Sequence, residues 1–259
     1  MPELPEVETV RRVLESRLLG LKISSYELGK PTFYRKPLPG SLDGLVGAKI
    51  ASVGRRGKYL ILGFDRRKDL ILHLGMSGRI VLGGHGTHTR FQFSVAGTVV
   101  KFHDARRFGR VGCALPEFGP EPLSDAFTPE SLFQSLRGRK AAIKAMLMDQ
   151  RIIAGIGNIY ATEALFEAGV RPGRAAASLS RRDAARLCAA IKRLLALSVK
   201  LGGSTLDDAA YLDPLGRAGR FQDHVSVYGR KVGRCGHPLK PTLKPISGRT
   251  SLYCPVCQR

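Results

Sequence analysis

The chain opens Met-Pro-Glu-Leu-Pro-Glu, two prolines and two glutamates ahead of any run that could enter a core. Loss of Met1 would leave Pro2 with a free secondary amine. An α-amino group titrates at ~8, so a usable fraction is neutral at neutral pH and able to attack carbon. Glu3 is placed to move protons beside such an amine. Equally, Glu3, Glu6 and Glu8 are the acids that the first turns of a helix favour, so the tip reads as a cap or as a reagent. The other end carries metal chemistry. Cys254-Pro-Val-Cys257 is a C-x2-C knuckle, and eighteen residues separate it from Cys235, the spacing of a zinc ribbon. Tetrahedral zinc takes four donors. His237 is the nearest imidazole and would complete a Cys3His set through a short C-x-H bite; the alternative leaves His237 in a solvent-facing turn, with another donor or no metal at all.

Three further constellations suit a polyanion. In "RRGKYL" Arg55, Arg56 and Lys58 flank Gly57 just before a strand, although a solvated hairpin tip is the usual meaning of such a run. "HLGMSG" (His73 to Gly78) and "HDARRFGRV" (His103 to Val111) hold Met76 and Phe108 in Gly-flanked turns beside Arg106 and Arg107. Core packing is the common fate of Met and Phe, but turn tips seldom reach a core, and apolar wedges next to arginines suit insertion between stacked bases. "GIGNIYATEALF" is a glycine turn opening a helix, which can offer backbone N–H groups and Asn158 to a phosphate. It lacks the third glycine and the βαβ setting of a dinucleotide fingerprint.

Elements must position these groups. Apolar residues recur at Leu4, Val7, Val10, Leu14 and Leu18, so the opening predicts a helix. From Lys49 to Leu115 the period shortens to two, with runs such as Tyr59–Phe64, Leu70–Leu74 and Val99–Phe102 between Gly-rich turns, which predicts a β-sandwich or barrel. Pro116 to Pro129 holds four prolines in fourteen residues and marks a linker. Helical periodicity follows over Pro129 to Asp149, Asn158 to Ala168 and Ser180 to Leu201, the last opened by a capping-box-like Ser-Arg-Arg-Asp. A short β-like tail, Val225 to Arg259, carries the cysteine-rich end. The fold class is therefore α+β.

Composition limits the function. Lys plus Arg is 42 against 21 for Asp plus Glu, a formal charge of +21, far beyond what solubility requires, and a polyanionic partner is expected. The charge is uneven: Leu215 to Arg259 has nine Lys/Arg against the single Asp223. No stretch of about eighteen apolar residues and no basic-then-apolar leader is present, so a cytoplasmic protein without membrane spans is expected. Five cysteines in such a chain, three of them in the last twenty-five residues, argue for metal over disulfides.

"MPELPEVETVRR", "RRGKYL", "HLGMSG", "DARRFG", "GIGNIYATEALF", "GGSTL", "VYGR" and "CPVCQR", in this order and over essentially the whole chain, resemble the bacterial formamidopyrimidine-DNA glycosylases. The resemblance implies an N-terminal helix on a β-sandwich (1–115), a linker (116–128), a helix-two-turn-helix domain with a lesion-covering loop (129–224), and a zinc-ribbon hairpin that binds DNA (225–259). It implies a monomer acting on damaged double-stranded DNA, with one structural Zn2+. Pro2 nitrogen would displace the damaged base at C1′ and form an iminium, with Glu3 transferring protons. Lys58 and Arg249 resemble the family's phosphate-gripping, elimination-assisting cations, and Glu6 and Glu163 its supporting carboxylates. Met76, Arg106 and Phe108 resemble the residues that fill the void left by an extruded nucleotide, with Arg106 facing the orphaned base. His73, His88 and Asn158 resemble phosphate contacts, and "GGSTLDDAA" from Gly202 the mobile loop over the flipped base. The ribbon departs from the family's two C-x2-C knuckles, because one thiolate of the first is absent. The competing readings are an endonuclease VIII-like enzyme for oxidised pyrimidines, a non-catalytic binder of damaged DNA, and an unrelated N-terminal-proline enzyme for small molecules.

Overall fold

The computed structural model describes residues 2–84, 87–206 and 211–259. Its first element is the expected helix, α1 (Leu4–Leu18), with Pro5 in the first turn, where a missing N–H costs nothing. Its buried stripe is Val7, Val10, Leu14 and Leu18, and the helix packs against β2 (Ile50–Arg56). Two antiparallel four-stranded sheets form the sandwich. One runs β2, β3 (Tyr59–Phe64), β4 (Leu70–His73) and β8 (Arg110–Val111); the other runs β1 (Ile23–Leu28), β6 (Thr89–Val95), β7 (Thr98–His103) and β5 (Arg79–Leu82). Leu60, Leu62 and Leu72 from the first and Phe91, Phe93, Val100 and Phe102 from the second close one core with the α1 stripe.

Strand β1 lies upstream of the segment in which the sequence predicts strands. Its sequence, ISSYEL, sends only Ile23 fully inward and pairs along one side with β6, so an edge strand with a wet face lacks the apolar alternation that marks the others.

The chain divides into two compact units. The first takes Met1–Pro116 and recovers Ser198–Gln222; the second takes Glu117–Leu197 and Asp223–Arg259. In the second, the helical periodicity over Pro129 to Asp149 resolves into α2 (Pro129–Leu136) and α3 (Ile143–Met148). The interruption falls at Gly138, whose φ of 71° leaves the right-handed helix. Then come α4 (Asn158–Glu167) and α5 (Arg181–Lys200). The tail forms a two-stranded ribbon, β9 (Lys240–Pro241) with β10 (Leu252–Tyr253). No helix among the described residues is long and apolar enough to cross a membrane.

Glycines decide how closely the sandwich turns approach each other. A Cβ on Gly78 would sit 2.1 Å from the Leu74 carbonyl oxygen and 2.6 Å from the Phe102 ring. Gly78→Ala is expected to cost about 3 kcal/mol and lower the melting temperature by roughly 5–10 °C, measured by calorimetry beside the wild type.

Candidate active site and metal centre

The N-terminal tip is held by one buried carboxylate. Glu3, in extended conformation, caps α1, and its backbone N–H donates to Glu6 Oε2 at 2.8 Å. The other oxygen, Glu6 Oε1, accepts from Ser204 N–H at 2.7 Å. Pro2, Glu3 and Glu6 are all buried. Gly203 makes the approach possible: its φ is +84°, and a Cβ there would lie 2.9 Å from Glu6 Cγ and Oε1. Tyr211 closes the far side, donating its hydroxyl between the carbonyls of Glu6 (3.3 Å) and Gly202 (3.2 Å). Burial, then the nearby Glu6 carboxylate, pushes this phenol far above its ordinary range. The segment that begins "GGSTL" is thus tied at both ends to the tip, and its middle, residues 207–210, lies outside the described residues.

Lys58 occupies a two-residue hairpin between Arg56 and Tyr59, with Gly57 at φ 55° in the first position, the requirement of a tight primed turn. Lys58 is itself buried. The turn is braced by Arg55, which donates to Gly57 O (2.8 Å) and to Glu8 (3.1 Å). Glu8 also binds Arg11 and Arg12. Burial pushes the Glu8 carboxyl up, but the three guanidinium bonds outweigh it and the net direction is down.

His73 lies across the strand pair from Tyr59, with ring centroids 4.5 Å apart. Its Nδ1 accepts from Gly75 N–H at 3.2 Å, which leaves the proton on Nε2. Burial, followed by the Arg110 and Lys58 charges, lowers its pKa to about 4. His88 is exposed at φ 69°, its Nδ1 3.0 Å from Thr87 Oγ1.

The turns of Met76 and of Arg106 to Phe108 are brought together by Asp104, which is completely buried. Its Oδ1 accepts from Ser77 Oγ (2.6 Å) and Arg106 N–H (3.2 Å), and its Oδ2 from Gly109 N–H (2.6 Å). Backbones touch at Gly75, where a Cβ would lie 2.6 Å from Gly109 N. Phe108 stays 45% exposed, with the Arg106 guanidinium 5.1 Å from its ring centre.

In the second unit Asn158 begins α4, and its Oδ1 is buried without a hydrogen-bond partner among the described residues. One turn on, the Glu163 carboxylate accepts three backbone N–H groups: Ser226 (2.7 Å), Val227 (3.0 Å) and Tyr228 (2.7 Å). Burial pushes its pKa up, against the pull of those donors and of Arg234. Glu163 therefore fixes the chain entering the ribbon. Arg249 closes the tight turn Ile246-Ser247-Gly248-Arg249, with reciprocal backbone bonds to Ile246 and positive φ at both central residues. Its guanidinium makes no hydrogen bond or ion pair among the described residues. Two residues on, Ser251 accepts 2.7 Å from the Nζ of Lys144, a lysine only 1% exposed.

Cys235, His237, Cys254 and Cys257 converge, their donor atoms all within 4.8 Å of one another. Cys235 and Cys254 sulfurs lie 3.7 Å apart, and His237 Nδ1 is 3.6 Å from the sulfurs of both Cys254 and Cys257. Zinc–sulfur bonds of ~2.3 Å give a tetrahedral edge of about 3.8 Å, so three thiolates and one imidazole fit a zinc ion. The short C-x-H bite closes because Gly236, at φ 80°, reverses the chain between the donors. Gln258, completely buried, accepts from Cys254 N–H (2.8 Å) and donates to Val170 O (2.8 Å), seating the knuckle on the α4–α5 connection.

The sequence reading does not assign Asp104, Tyr211, Lys144, Ser251 or Gln258. Asp104 lies inside a quoted motif but is overshadowed there by two arginines. The others become legible only once the segments they join are in place.

The first unit is thus a proline-tipped helix on a sandwich, and the second a helical unit ending in a four-donor metal ribbon. The family model of the formamidopyrimidine-DNA glycosylase N-terminal domain matches residues 1–111, and that of the family's H2TH domain matches residues 118–210. The formamidopyrimidine-DNA glycosylase of Paracoccus denitrificans is 40% identical over the whole of both chains. The crystal structure of the MutM (Fpg) protein from Thermus thermophilus superimposes with a TM-score of 0.90 at 41% identity, covering 99% of this chain and 98% of that one. A Lactococcus lactis Fpg mutant in complex with DNA containing Fapy-dG gives 0.89 at 34% identity, with both chains fully covered. The chain belongs to the formamidopyrimidine-DNA glycosylase family, a family of base-excision DNA glycosylases.

His73 is neutral in the folded state and titrates at 6.5 when unfolded, so only the unfolded chain gains its proton between those values. Its contribution is complete above pH 6.5 and is lost, up to about 3 kcal/mol, as pH falls to about 4. Urea unfolding at pH 7 and pH 4.5 should show a steeper acid loss for wild type than for His73→Asn. For the metal, elemental analysis should find one zinc per chain, with roughly half or more of it lost from His237→Ala after dialysis against a chelator.

Proposed function

We propose that the protein is a bifunctional glycosylase and AP lyase that excises oxidised purines, 8-oxoguanine and formamidopyrimidines, from duplex DNA. The observation that carries this reading is the clamping of the Pro2–Glu3 tip by Glu6 next to the "GGSTL" segment. A capping helix has no need to tie its first peptide to a loop two hundred residues away. A nucleophile that must meet an extruded base does.

With Met1 removed, the neutral Pro2 amine attacks C1′ of the lesion nucleotide. The glycosidic bond breaks with its electron pair going to the base, which takes up a proton, and opening of the sugar ring gives an iminium. The iminium draws electrons from C2′–H, so that the 3′ phosphate leaves by β-elimination, and then from C4′–H, so that the 5′ phosphate leaves by δ-elimination. Glu3 exchanges protons with the sugar and base, and Glu6 fixes the peptide that follows Pro2. Lys58 and Arg249 bind the flanking phosphates and neutralise charge as they depart. Met76, Arg106 and Phe108, presented together by Asp104, occupy the gap left by the flipped nucleotide, with Arg106 reading the opposite cytosine. His73 serves as a neutral hydrogen-bond donor to phosphate, with His88 and Asn158 as further contacts. Glu163 acts on the ribbon through the 226–228 backbone. A zinc ion held by Cys235, His237, Cys254 and Cys257 would fix the two ends of the ribbon together. The protein acts as a monomer, in the cytoplasm on the nucleoid, and the functional segments are 1–115, 129–224 and 225–259.

Borohydride trapping on a duplex carrying 8-oxoguanine opposite cytosine tests the reading. Wild type should give a covalent protein–DNA adduct, and Pro2→Gly or a chain retaining Met1 should give none. Equal trapping with Met1 retained would overturn the Pro2 assignment. Stronger trapping on thymine glycol would make this a pyrimidine enzyme, and a DNA shift with no adduct a binder.

A further inference from the structure

Beside Phe108 lies a cationic surface that the reading above leaves unused. The segment 31–38, between β1 and β2, is fastened to the Arg107 turn: Tyr34 N–H donates to Arg107 O (3.1 Å), and Arg107 Nε donates to Thr32 O (2.6 Å). The Arg107 guanidinium lies 4.4 Å over the Tyr34 ring, and that ring lies 5.8 Å from Phe108. Arg106, Phe108, Tyr34 and Arg107 thus form a continuous file of planar groups. Tyr34 is 65% exposed, the most open aromatic ring of the file. Two adjoining depressions, of about 330 and 240 Å3, open alongside; both are lined by Arg35 and Arg110, with Arg107 in one and Lys36 in the other. Among the described residues no carboxylate lines either one. Arg35, Lys36 and Arg110 form no ion pair or side-chain hydrogen bond among the described residues.

Uncompensated cations gathered at one place repel each other unless an anion is brought in. An exposed ring next to them is the other half of a nucleotide platform, because every base has a face to stack while its phosphate takes the charge. We propose that Tyr34, Arg35 and Arg110 form a second nucleotide site on the strand opposite the lesion. Tyr34 stacks the base that neighbours the orphaned one, and Arg35 and Arg110 hold its phosphates. This rests on the proposed role of Phe108 as a wedge and Arg106 as the reader of the orphaned base. Phe108 stands between Arg106 and Tyr34, so a strand displaced past the wedge meets Tyr34 next.

The test uses duplexes with a tetrahydrofuran abasic analogue opposite cytosine and 2-aminopurine on either side of that cytosine. Fluorescence should stay low with wild type and with Tyr34→Phe, which keeps the ring, and rise severalfold with Tyr34→Ala. Affinity for the same duplex should fall roughly five- to hundredfold in Tyr34→Ala. In Arg35→Ala/Arg110→Ala the slope of log affinity against log salt should flatten by about 1.8, two phosphate contacts. An unchanged slope, or fluorescence that stays low in Tyr34→Ala, overturns the proposal. Borohydride trapping by wild type is read in parallel: no adduct there locates the failure in the catalytic reading, whereas an adduct with an overturning result locates it in this site.

Discussion

The structure turns on the carboxylate of Glu6. Each of its two oxygens accepts a backbone N–H, that of Glu3 and that of Ser204, both out of water. Charge-assisted bonds of this kind are each worth ~1.5–3 kcal/mol, and losing one partner would leave a buried charge short of donors, which costs more. The peptide that follows Pro2 and the start of the "GGSTL" segment are therefore not independent. The end of a chain is ordinarily its least ordered part; here Pro2 is buried because the residue after it caps a helix and is itself caught by that helix.

The same device recurs in several other turns. Asp104 gathers Ser77, Arg106 and Gly109; Glu163 gathers Ser226, Val227 and Tyr228; Asp213 gathers Leu215 and Arg217. Asp183 does so at the start of α5. In a chain with twice as many basic as acidic residues, these acids are placed inside, where each satisfies backbone donors that a surface loop would otherwise leave to water. The surplus of positive charge is correspondingly external. Internal carboxylates order the loops, and the loops carry cations outward, so one allocation of charge serves both fold and electrostatics.

That allocation also explains what the sequence could and could not reveal. Elements with a clear apolar stripe or run were legible: the α1 stripe, strands β3, β4 and β7, and α5 all follow from apolar spacing. The edge strand β1 was not, because its exposed face erases the alternation. Motifs legible as strings, such as "HLGMSG" and "DARRFG", gave Met76, Arg106 and Phe108, but not the reason they meet. A buried aspartate and a solvated one look alike until their donors are in place. Tyr211 and the Lys144–Ser251 pair are invisible for the same reason, since each joins residues far apart in the chain. The metal donors were legible because the C-x2-C knuckle fixes two ligands locally. His237 could be resolved only by the convergence of its Nδ1 on the sulfurs.

An imidazole in place of a fourth thiolate has a physical consequence for the ribbon. A divalent ion held by three thiolates and a neutral imidazole carries one unit less negative charge than one held by four thiolates. If Arg249 meets a phosphate as proposed above, a less anionic centre a few residues away would repel that phosphate less. Geometry need not suffer for the exchange. Arg249 is set by a tight turn with positive φ at Ser247 and Gly248, by the Lys144 bond to Ser251, and by Gln258 seating Cys254 on Val170. None of these supports passes through His237. The first knuckle is therefore the part of the site where a donor can be exchanged while the arginine tip keeps its own scaffold.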